Sequence, residues 1–494
     1  MSVNLGAVKV VYLNRYEVKH SRHKVNFLNP RVRSGLMLVL ADAISFSIAA
    51  FLAILVRVPF HDGWRFDLYP QMVPVMLVSM VFYSLFGLYP ALGLSAVAEL
   101  RKLVTSTSVV VLAFAALSFW VRNAEDYSRL TLGLTWIFSL FLLPLGRDLM
   151  RTIGARLNIW GETVAVIGCG KQSEWALEFF LRNRLLGLIP SVILDFSGNA
   201  SVDYKNIRVL ESRNVTLGKD LAELTGVETA LIIASDVPAD FVNYLADNRQ
   251  GGFKRLLLIP NLEQISSYGV NAFDFGGVLG LEVRHNLLDA GQQTLKRAMD
   301  ILLVLFGGLL ISPFLGLLWL LLKWDSKEAG AFFGHTRIGK GNREFCAWKF
   351  RTMVPNADAK LEEFLAQNPE ALVEWEANHK LKNDPRVTWL GRILRRYSID
   401  ELPQLWNVLK GEMSLIGPRP IVSDEVRHYG SRFDPYTWVR PGLTGLWQIS
   451  GRNDTTYEER VSLDEYYVRN WSIWLDIYIL ARTVAVVLQR KGAY

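Results

Sequence analysis

The sequence predicts a multidomain membrane protein: four transmembrane helices, then a doubly wound α/β unit, then a mainly helical α+β unit with a re-entrant membrane helix. Three observations lead there. Of the 494 residues, 51% are hydrophobic, and mean hydropathy is positive. Four apolar runs crowd the first third, each near the ~20 residues that a spanning helix needs. Beyond Thr163 the pattern changes to short β-rich runs separated by helical stretches. A chain of this length exceeds one ordinary core, so two or three folded units are expected.

Residues 1–34 read as a cytoplasmic segment. They are polar and basic, with Lys9, Arg15, Lys19, Arg22 and Lys24, and lack the apolar core of a cleavable signal peptide. The four spans fall at 35–58, 71–93, 104–121 and 130–150, within a transmembrane region of 35–150. Arg31 and Arg33 precede the first, Arg101 and Lys102 separate the second and third, and Arg147, Arg151 and Arg156 follow the fourth. The loops at 62–67 and 123–129 are mixed or acidic. The positive-inside rule then places the N-terminus, the middle loop and everything after Arg151 in the cytoplasm. The net charge of +7 fits an anionic leaflet and a phosphate-rich substrate, with topology signals supplying part of it. No nucleic acid partner is expected. The two cysteines, Cys169 and Cys346, belong to no CxxC pair or zinc set and read as free thiols in a reducing compartment.

Residues 151–290 form the α/β unit. TVAVIGCGKQSEWALEFFLRN reads strand, glycine turn, helix, and SVILDF, TALIIAS and RLLLIP read as further buried strands. The turn Gly168-Cys169-Gly170-Lys171-Gln172-Ser173 approximates a dinucleotide fingerprint, and Asp195 stands where a ribose-binding acid would sit. Ser173 replaces the third glycine. A Rossmann-like domain that binds a nucleotide and one that binds none both remain open.

A fifth apolar run, 301–322, is flanked by Lys296, Arg297 and Lys323, so charge does not favour a crossing. Ser312-Pro313 lies mid-run. Proline removes a helical hydrogen bond and serine can satisfy the freed carbonyl. A re-entrant helix and a kinked spanning helix both fit this pattern. The last unit, 291–494, continues with a hairpin-like FFGHTRIGKGNREFCAWKFRTM, a charged helical stretch at 356–379, and an apolar, aromatic segment at 471–489. Asp476 and Arg482 interrupt that segment, which suits an interfacial helix.

The stretch Ser398–Pro420, SIDELPQLWNVLKGEMSLIGPRP, carries the strongest chemical signal. Asp400 and Glu401 are adjacent carboxylates, and their repulsion raises one pKa unless a cation or divalent metal compensates. An ionised Asp could attack phosphorus and form an acyl phosphate. Arg337, Lys349, Arg351, Arg395, Arg419 and Arg440 are candidate cations for phosphate oxygens. Pro418 and Pro420 stiffen the backbone around Arg419. Lys349 and Arg351 alternate with Phe350 and share one strand face. Asp476 is costly near lipid unless paired, which makes it a candidate too. Structural readings stand beside these. Ser398-x-x-Glu401 matches a capping box, Pro403 and Gly411 could open and close a helix, and the arginines could be surface ion pairs.

Together these residues resemble the bacterial sugar transferase family, the polyisoprenyl-phosphate hexose-1-phosphate transferases. The resemblance covers 296–494 and rests on the Ser312-Pro313 run, HTRIG, KFRTM, NDPRVTWLGRILRRYSIDELPQLWNVLKGEMSLIGPRP and RPGLTGLWQISGR. The four helices and Rossmann-like domain are similar to long-form members. The insertion at 361–382 and the ending after Tyr466 are most similar to members that move galactose phosphate to undecaprenyl phosphate. The resemblance implies that Asp400 attacks the sugar-linked phosphate of a UDP-sugar and releases UMP. Undecaprenyl phosphate then accepts the phosphosugar. Glu401, with Asp400, would hold Mg²⁺. Arg337, Lys349, Arg351, Arg395, Arg419 and Arg440 would hold phosphates, and Asp476 would support the site. Such an enzyme sits in the bacterial inner membrane and opens O-antigen, capsule or exopolysaccharide synthesis. UDP-sugars are cytoplasmic, so the resemblance favours re-entry. Glucose is the runner-up sugar. The Rossmann-like domain is left with structural, regulatory or homodimer-forming roles.

Three rival functions compete with this one. A membrane nucleotide-sugar dehydratase needs a Tyr-x-x-x-Lys, and Tyr204, Tyr244 and Tyr268 all lack the Lys. A glycosyltransferase would release UDP and would not need a carboxylate nucleophile. A non-catalytic scaffold of an export complex would keep its function without Asp400.

Overall fold

The computed structural model describes residues 29–58, 68–120, 128–168, 170–195, 207–211, 222, 225–237, 253–260, 270–274, 279–283, 287, 290–325, 330–368, 370–372, 375, 381, 384–450 and 456–489. The expected N-terminal segment before Asn29, the loops at 62–67 and 123–127, Cys169, the Asp195 side chain and the last five residues lie outside that description. The chain divides into two units, Met1–Asn261 and Leu262–Tyr494.

The first unit opens with four helices: α1 Pro30–Arg57, α2 Leu68–Leu85, α3 Ala96–Trp120 and α4 Arg129–Arg156. Asn29 and Ser128 cap α1 and α4 with their side-chain oxygens. By length and composition, Pro30–Arg57, Ala96–Leu117 and Arg129–Arg156 can each cross a membrane, whereas Pro70–Leu85 is apolar but shorter. The second apolar run was expected to continue as one span to Gly93. It stops at Leu85 because Gly87 takes φ +69. The Leu88 N–H then turns back to the Tyr83 carbonyl at 2.8 Å and the Gly87 N–H to Ser84 at 3.0 Å. This pair of bonds ends a helix through a left-handed glycine.

A buried ion network ties α1, α3 and α4 together. Arg147 donates to Asp42 Oδ1 from Nε at 2.8 Å, and to Glu99 Oε1 from Nη1 at 2.8 Å. Arg151 also reaches Glu99, at 2.7 Å. Arg147, Asp42 and Glu99 are all buried. Two guanidiniums face two carboxylates, so the charges balance, and removing one partner leaves an uncompensated buried charge. Arg147→Met should therefore cost about 3–5 kcal/mol, measured as a lower thermal midpoint of the purified protein in detergent. An unchanged midpoint would mean the network carries no stability.

The α/β part comes directly after α4. Strands β1 Glu162–Ile167, β2 Leu188–Asp195, β3 Arg208–Glu211, β4 Thr229–Ile233 and β5 Arg255–Ile259 pair in the order β3-β2-β1-β4-β5, and all four pairings are parallel. This is the doubly wound arrangement, with its switch point between β1 and β4. Helix α5, Lys171–Arg182, starts just after β1. Leu38 of α1 and Leu92 share one buried cluster with Val164, Val166 and Leu231, so helices and sheet belong to one core.

The second unit begins with the hairpin β6 Val270–Asp274 and β7 Leu279–Val283, residues that the sequence pattern assigned to the α/β domain. Helix α6 then runs over Ala290–Asp325, about 54 Å at the usual rise. Its 291–324 stretch is also long and apolar enough to cross a membrane. Pro313 has no N–H for the Leu309 carbonyl, and the Ser312 hydroxyl donates to that carbonyl at 2.8 Å. Phe306, Leu309 and Leu310 are 75–78% exposed on the outer face. Val304 packs with Val408 and Met413, while Leu318 and Leu322 pack with Ala331, Phe350, Leu390 and Leu394.

The expected hairpin is present as β8 Phe332–Ile338 and β9 Glu344–Phe350, antiparallel, turning at Gly341 and Asn342, both at positive φ. The charged stretch gives a helix over Ala357–Gln367, and most of 369–380 lies outside the described residues. Next come α7 Trp389–Arg396, α8 Gln404–Lys410, short strands β10 Ser414–Ile416 and β11 Gly442–Thr444, then α9 Tyr457–Asn470 and α10 Ile473–Gln489. The capping-box alternative does not hold. Ser398 sits at φ +55 with no side-chain cap, and Ile399–Glu401 is a 3-10 turn. Pro403 instead precedes α8 and Gly411, at φ +87, ends it.

Candidate active site

The turn at Ser398 delivers Asp400 and Glu401 beside strand β9. Lys349 lies between them, its Nζ 2.6 Å from Glu401 Oε1 and 3.8 Å from Asp400 Oδ2. Asp400 is buried. Burial pushes its carboxyl above the usual range, Lys349 pulls it back, Glu401 raises it and Arg395 lowers it. Arg395 is fixed at the C-terminal end of α7 by a bond from Nε to Thr352 Oγ1 at 2.8 Å.

These groups open into a cavity of about 780 Å³, inside the range of small-molecule sites. Arg337, Lys349, Arg351, Arg395, Arg419 and the two carboxylates all line it. Alternation along β9 brings Lys349 and Arg351 to the same side, as the sequence suggested. Arg351 is held by the Gly330 carbonyl at 2.8 Å. Arg337 donates to the Pro420 carbonyl at 3.2 Å and lies 3.7 Å from Glu425. Burial, then the Arg419 charge, lowers the Arg337 pKa. Arg419 stands 5.5 Å from the centroid of the Trp447 ring. More cations than carboxylates face this space, so it suits a polyanion.

Two proposed residues are placed elsewhere. Arg440 does not line the cavity. Its Nε donates to the Gly411 carbonyl at 2.7 Å at the end of α8. Asp476 is fully buried on α10. It accepts from Lys296 Nζ at 2.7 Å, Tyr467 at 2.8 Å and Trp471 at 3.0 Å. That node pins the start of α6 to α9 and α10. Ser312 and Pro313 are also outside the cavity, within α6. Sequence reasoning missed Trp447, Gln448, Tyr457, Arg460 and Asp464, which also line the cavity. Asp464 is hidden in the sequence as one more charge in YEERVSLDEYYVRN. Cys346 is free.

Lys349→Met should shift the acid limb of activity. Were Asp400 to act as a nucleophile, it would have to be ionised, so activity would be present above its pKa and lost as pH falls through it. Removing the cation that most lowers that pKa moves the limb to higher pH, checked by the pH profile of kcat/KM. A limb that stays put would separate Lys349 from the ionisation of Asp400.

Comparison with known proteins agrees with this geometry. Residues 291–490 match the bacterial sugar transferase family. The chain is 37% identical to the UDP-galactose-lipid carrier transferase of Erwinia amylovora, over 80% of this chain and 82% of that protein. It is 36% identical to the undecaprenyl-phosphate galactose phosphotransferase of Salmonella typhimurium, over 78% and 81%. It is 29% identical to the UDP-glucose:undecaprenyl-phosphate glucose-1-phosphate transferase of Xanthomonas campestris pv. campestris, over 85% and 86%. The chain belongs to the bacterial sugar transferase family and is a membrane-associated enzyme of that class.

Residues 84–224 match a CoA-binding domain family, which implies a phosphate-bearing ligand at the glycine turn after β1. The seat there is taken by the chain itself. Asp236 Oδ2 accepts from the Ser173 N–H at 3.0 Å and from its hydroxyl, and Oδ1 accepts from Ser235 at 2.8 Å. A Cβ on Gly170 would lie 2.8 Å from that carboxylate. Glycine is therefore needed to let Asp236 approach. A carboxylate at the start of α5 uses the N–H that a phosphate would use, so the residues present do not fit a phosphate at this seat.

Proposed function

We propose that the enzyme transfers hexose 1-phosphate, galactose 1-phosphate first, from a UDP-sugar to undecaprenyl phosphate and releases UMP. The observation that carries this is the buried Asp400, bridged to Glu401 by Lys349 at the edge of an arginine-lined cavity. One carboxylate oxygen of Asp400 attacks the sugar-linked phosphorus. The bond from that phosphorus to the bridging oxygen breaks, its electron pair leaves on UMP, and an acyl phosphate remains on Asp400. A phosphate oxygen of the lipid acceptor then attacks the same phosphorus and returns the electron pair to Asp400. No net proton is taken up or released. Arg337 and Arg419, which line the cavity, would neutralise the departing UMP phosphate.

Among the described residues no group of three metal-ligating side chains occurs. Two carboxylates suit Mg²⁺, which binds through one or two carboxylates with substrate phosphates filling other positions. Asp400 and Glu401 would hold it, and it would offset diphosphate charge.

Re-entry of α6 is supported by its packing. Near its start Lys296 and Arg297 bond to Asp476 and to the Val408 and Leu409 carbonyls, and near its end Leu318 and Leu322 pack with Phe350, Leu390 and Leu394, contacts at both ends that favour re-entry over a crossing. A re-entrant α6 would leave the cavity on the cytoplasmic side of the bacterial inner membrane, where UDP-sugars occur. The product would start O-antigen, capsule or exopolysaccharide assembly. Glucose is the second reading, favoured by the Xanthomonas relative.

The test mixes purified protein with UDP-galactose or UDP-glucose, undecaprenyl phosphate and Mg²⁺, and identifies the nucleotide and lipid products. UMP with lipid-linked diphosphohexose is expected, faster with UDP-galactose. UDP as product would mean glycosyl transfer, and a preference for UDP-glucose would reassign the sugar.

A further inference from the structure

The match to a CoA-binding domain family and the glycine turn after β1 create one expectation, a ligand phosphate at the start of α5. In a doubly wound sheet the ligand crevice opens where the strand order reverses, here between β1 and β4. Asp236 stands in the turn that follows β4, its own N–H bonded back to the Ile233 carbonyl at 3.0 Å. From that turn its carboxylate reaches the glycine turn after β1 and enters the crevice where a ligand of this fold would sit.

Gly170 is the N-cap of α5 and has no side chain with which to cap it. An N-cap oxygen ordinarily accepts from the second or third N–H of its helix. Asp236 Oδ2 takes that role from 63 residues away, accepting the Ser173 N–H at 3.0 Å. The buried Ser173 hydroxyl donates to the same oxygen. The Ser235 hydroxyl lies between Asp236 Oδ1 and Gln172 Oε1, at 2.8 Å and 2.7 Å. Both glycines close on this side chain. A Cβ on Gly170 would lie 2.8–2.9 Å from three carboxylate atoms, and one on Gly168 would lie 3.0 Å from the Asp236 Cβ. The void left beside Gly168, Gly170 and Ser173 is about 10 Å³, no more than a single water needs. A phosphate brought here would find the Ser173 N–H taken and a like charge at contact distance.

We propose that Asp236 is a tethered anion that fills the phosphate seat of the α/β domain, so that this domain binds neither CoA nor a dinucleotide and serves as a self-capped structural unit. Removing the carboxylate should reopen the seat to a free anion, since the backbone N–H that a phosphate would use stays at the start of α5. This role of Asp236 is independent of the sugar-phosphate chemistry proposed for Asp400.

The test follows amide hydrogen exchange over residues 170–182 in the full-length protein in detergent, a readout that reports on this turn and not on the Asp400 cavity. In the wild type, exchange there should be unchanged by CoA or NAD⁺ at about 1 mM, which would detect even weak binding. Slower exchange with either would overturn the proposal. In Asp236→Ala, exchange at the start of α5 should be about fivefold faster, the equilibrium change that loss of one helix cap brings. Inorganic phosphate should slow it again in the variant, relative to potassium chloride of equal ionic strength, and should do nothing in the wild type. A variant that exchanges like the wild type, or that responds to phosphate no more than to chloride, would show that Asp236 does not hold an anion seat. A phosphate response of equal size in the wild type would show that the seat is open. If Asp236→Ala does not fold, Asp236→Ser, shorter and uncharged, takes its place.

Discussion

Asp400→Asn should abolish turnover, lowering kcat by at least about 10⁴-fold, the scale on which enzymes lose activity with their nucleophile. The amide keeps the shape of the side chain and removes the charge and the attacking lone pair. The fold should survive, because Asp400 is a destabilised anion. Burial raises its pKa, so the ionised form is the one that the folded state disfavours. Steady-state transfer in membranes and in detergent, with the thermal midpoint as a folding control, checks this. Full activity in Asp400→Asn would leave the protein a scaffold or an enzyme of different mechanism.

Arg419→Ala should lower kcat by about 10²–10³-fold, the usual cost of removing one charged contact made in the transition state. Arg419 emerges from a backbone stiffened by Pro418 and Pro420, and its guanidinium rests against Trp447. The substitution therefore removes a cation that is already in place. Arg419→Lys should recover only part of the loss, since a lysine cannot reproduce the planar fork against the ring and a phosphate. If Arg419→Ala raised KM alone and left kcat intact, the arginine would bind ground state and transition state equally, and its role in the phosphoryl step would be wrong.

Much of this architecture was legible from period and punctuation. The change from ~20-residue apolar runs to short β-rich runs located the α/β sheet, and the Gly168–Ser173 turn located its first crossover. The FFGHTRIGKGNREFCAWKFRTM hairpin and the Pro403–Gly411 bounds of α8 also came from local rules. Other features depended on partners far along the chain. Nothing near Leu85 in hydropathy ends the second apolar run, and Gly87 ends it through its backbone conformation. Ser398 resembled a capping serine until its φ of +55 turned the adjoining carboxylates toward Lys349.

The site divides in the same way. The adjacent carboxylates and the arginine between prolines stood out because their neighbours are unusual. Gln448 and Asp464 did not, because they line the cavity only once segments far apart in the chain have folded together. Asp476 drew attention as a costly charge and Arg440 as a cation for phosphate, but the fold gives both close internal partners. Asp236 was invisible for another reason: a carboxylate in a phosphate seat leaves no mark on the glycine turn that the sequence displays.

The most direct measurement exposes purified enzyme to UDP-galactose with no lipid acceptor and counts the UMP released per protein. An acyl phosphate on Asp400 requires a burst approaching one UMP per active site, absent from Asp400→Asn. No UMP without acceptor, or a burst that survives Asp400→Asn, would contradict the covalent mechanism.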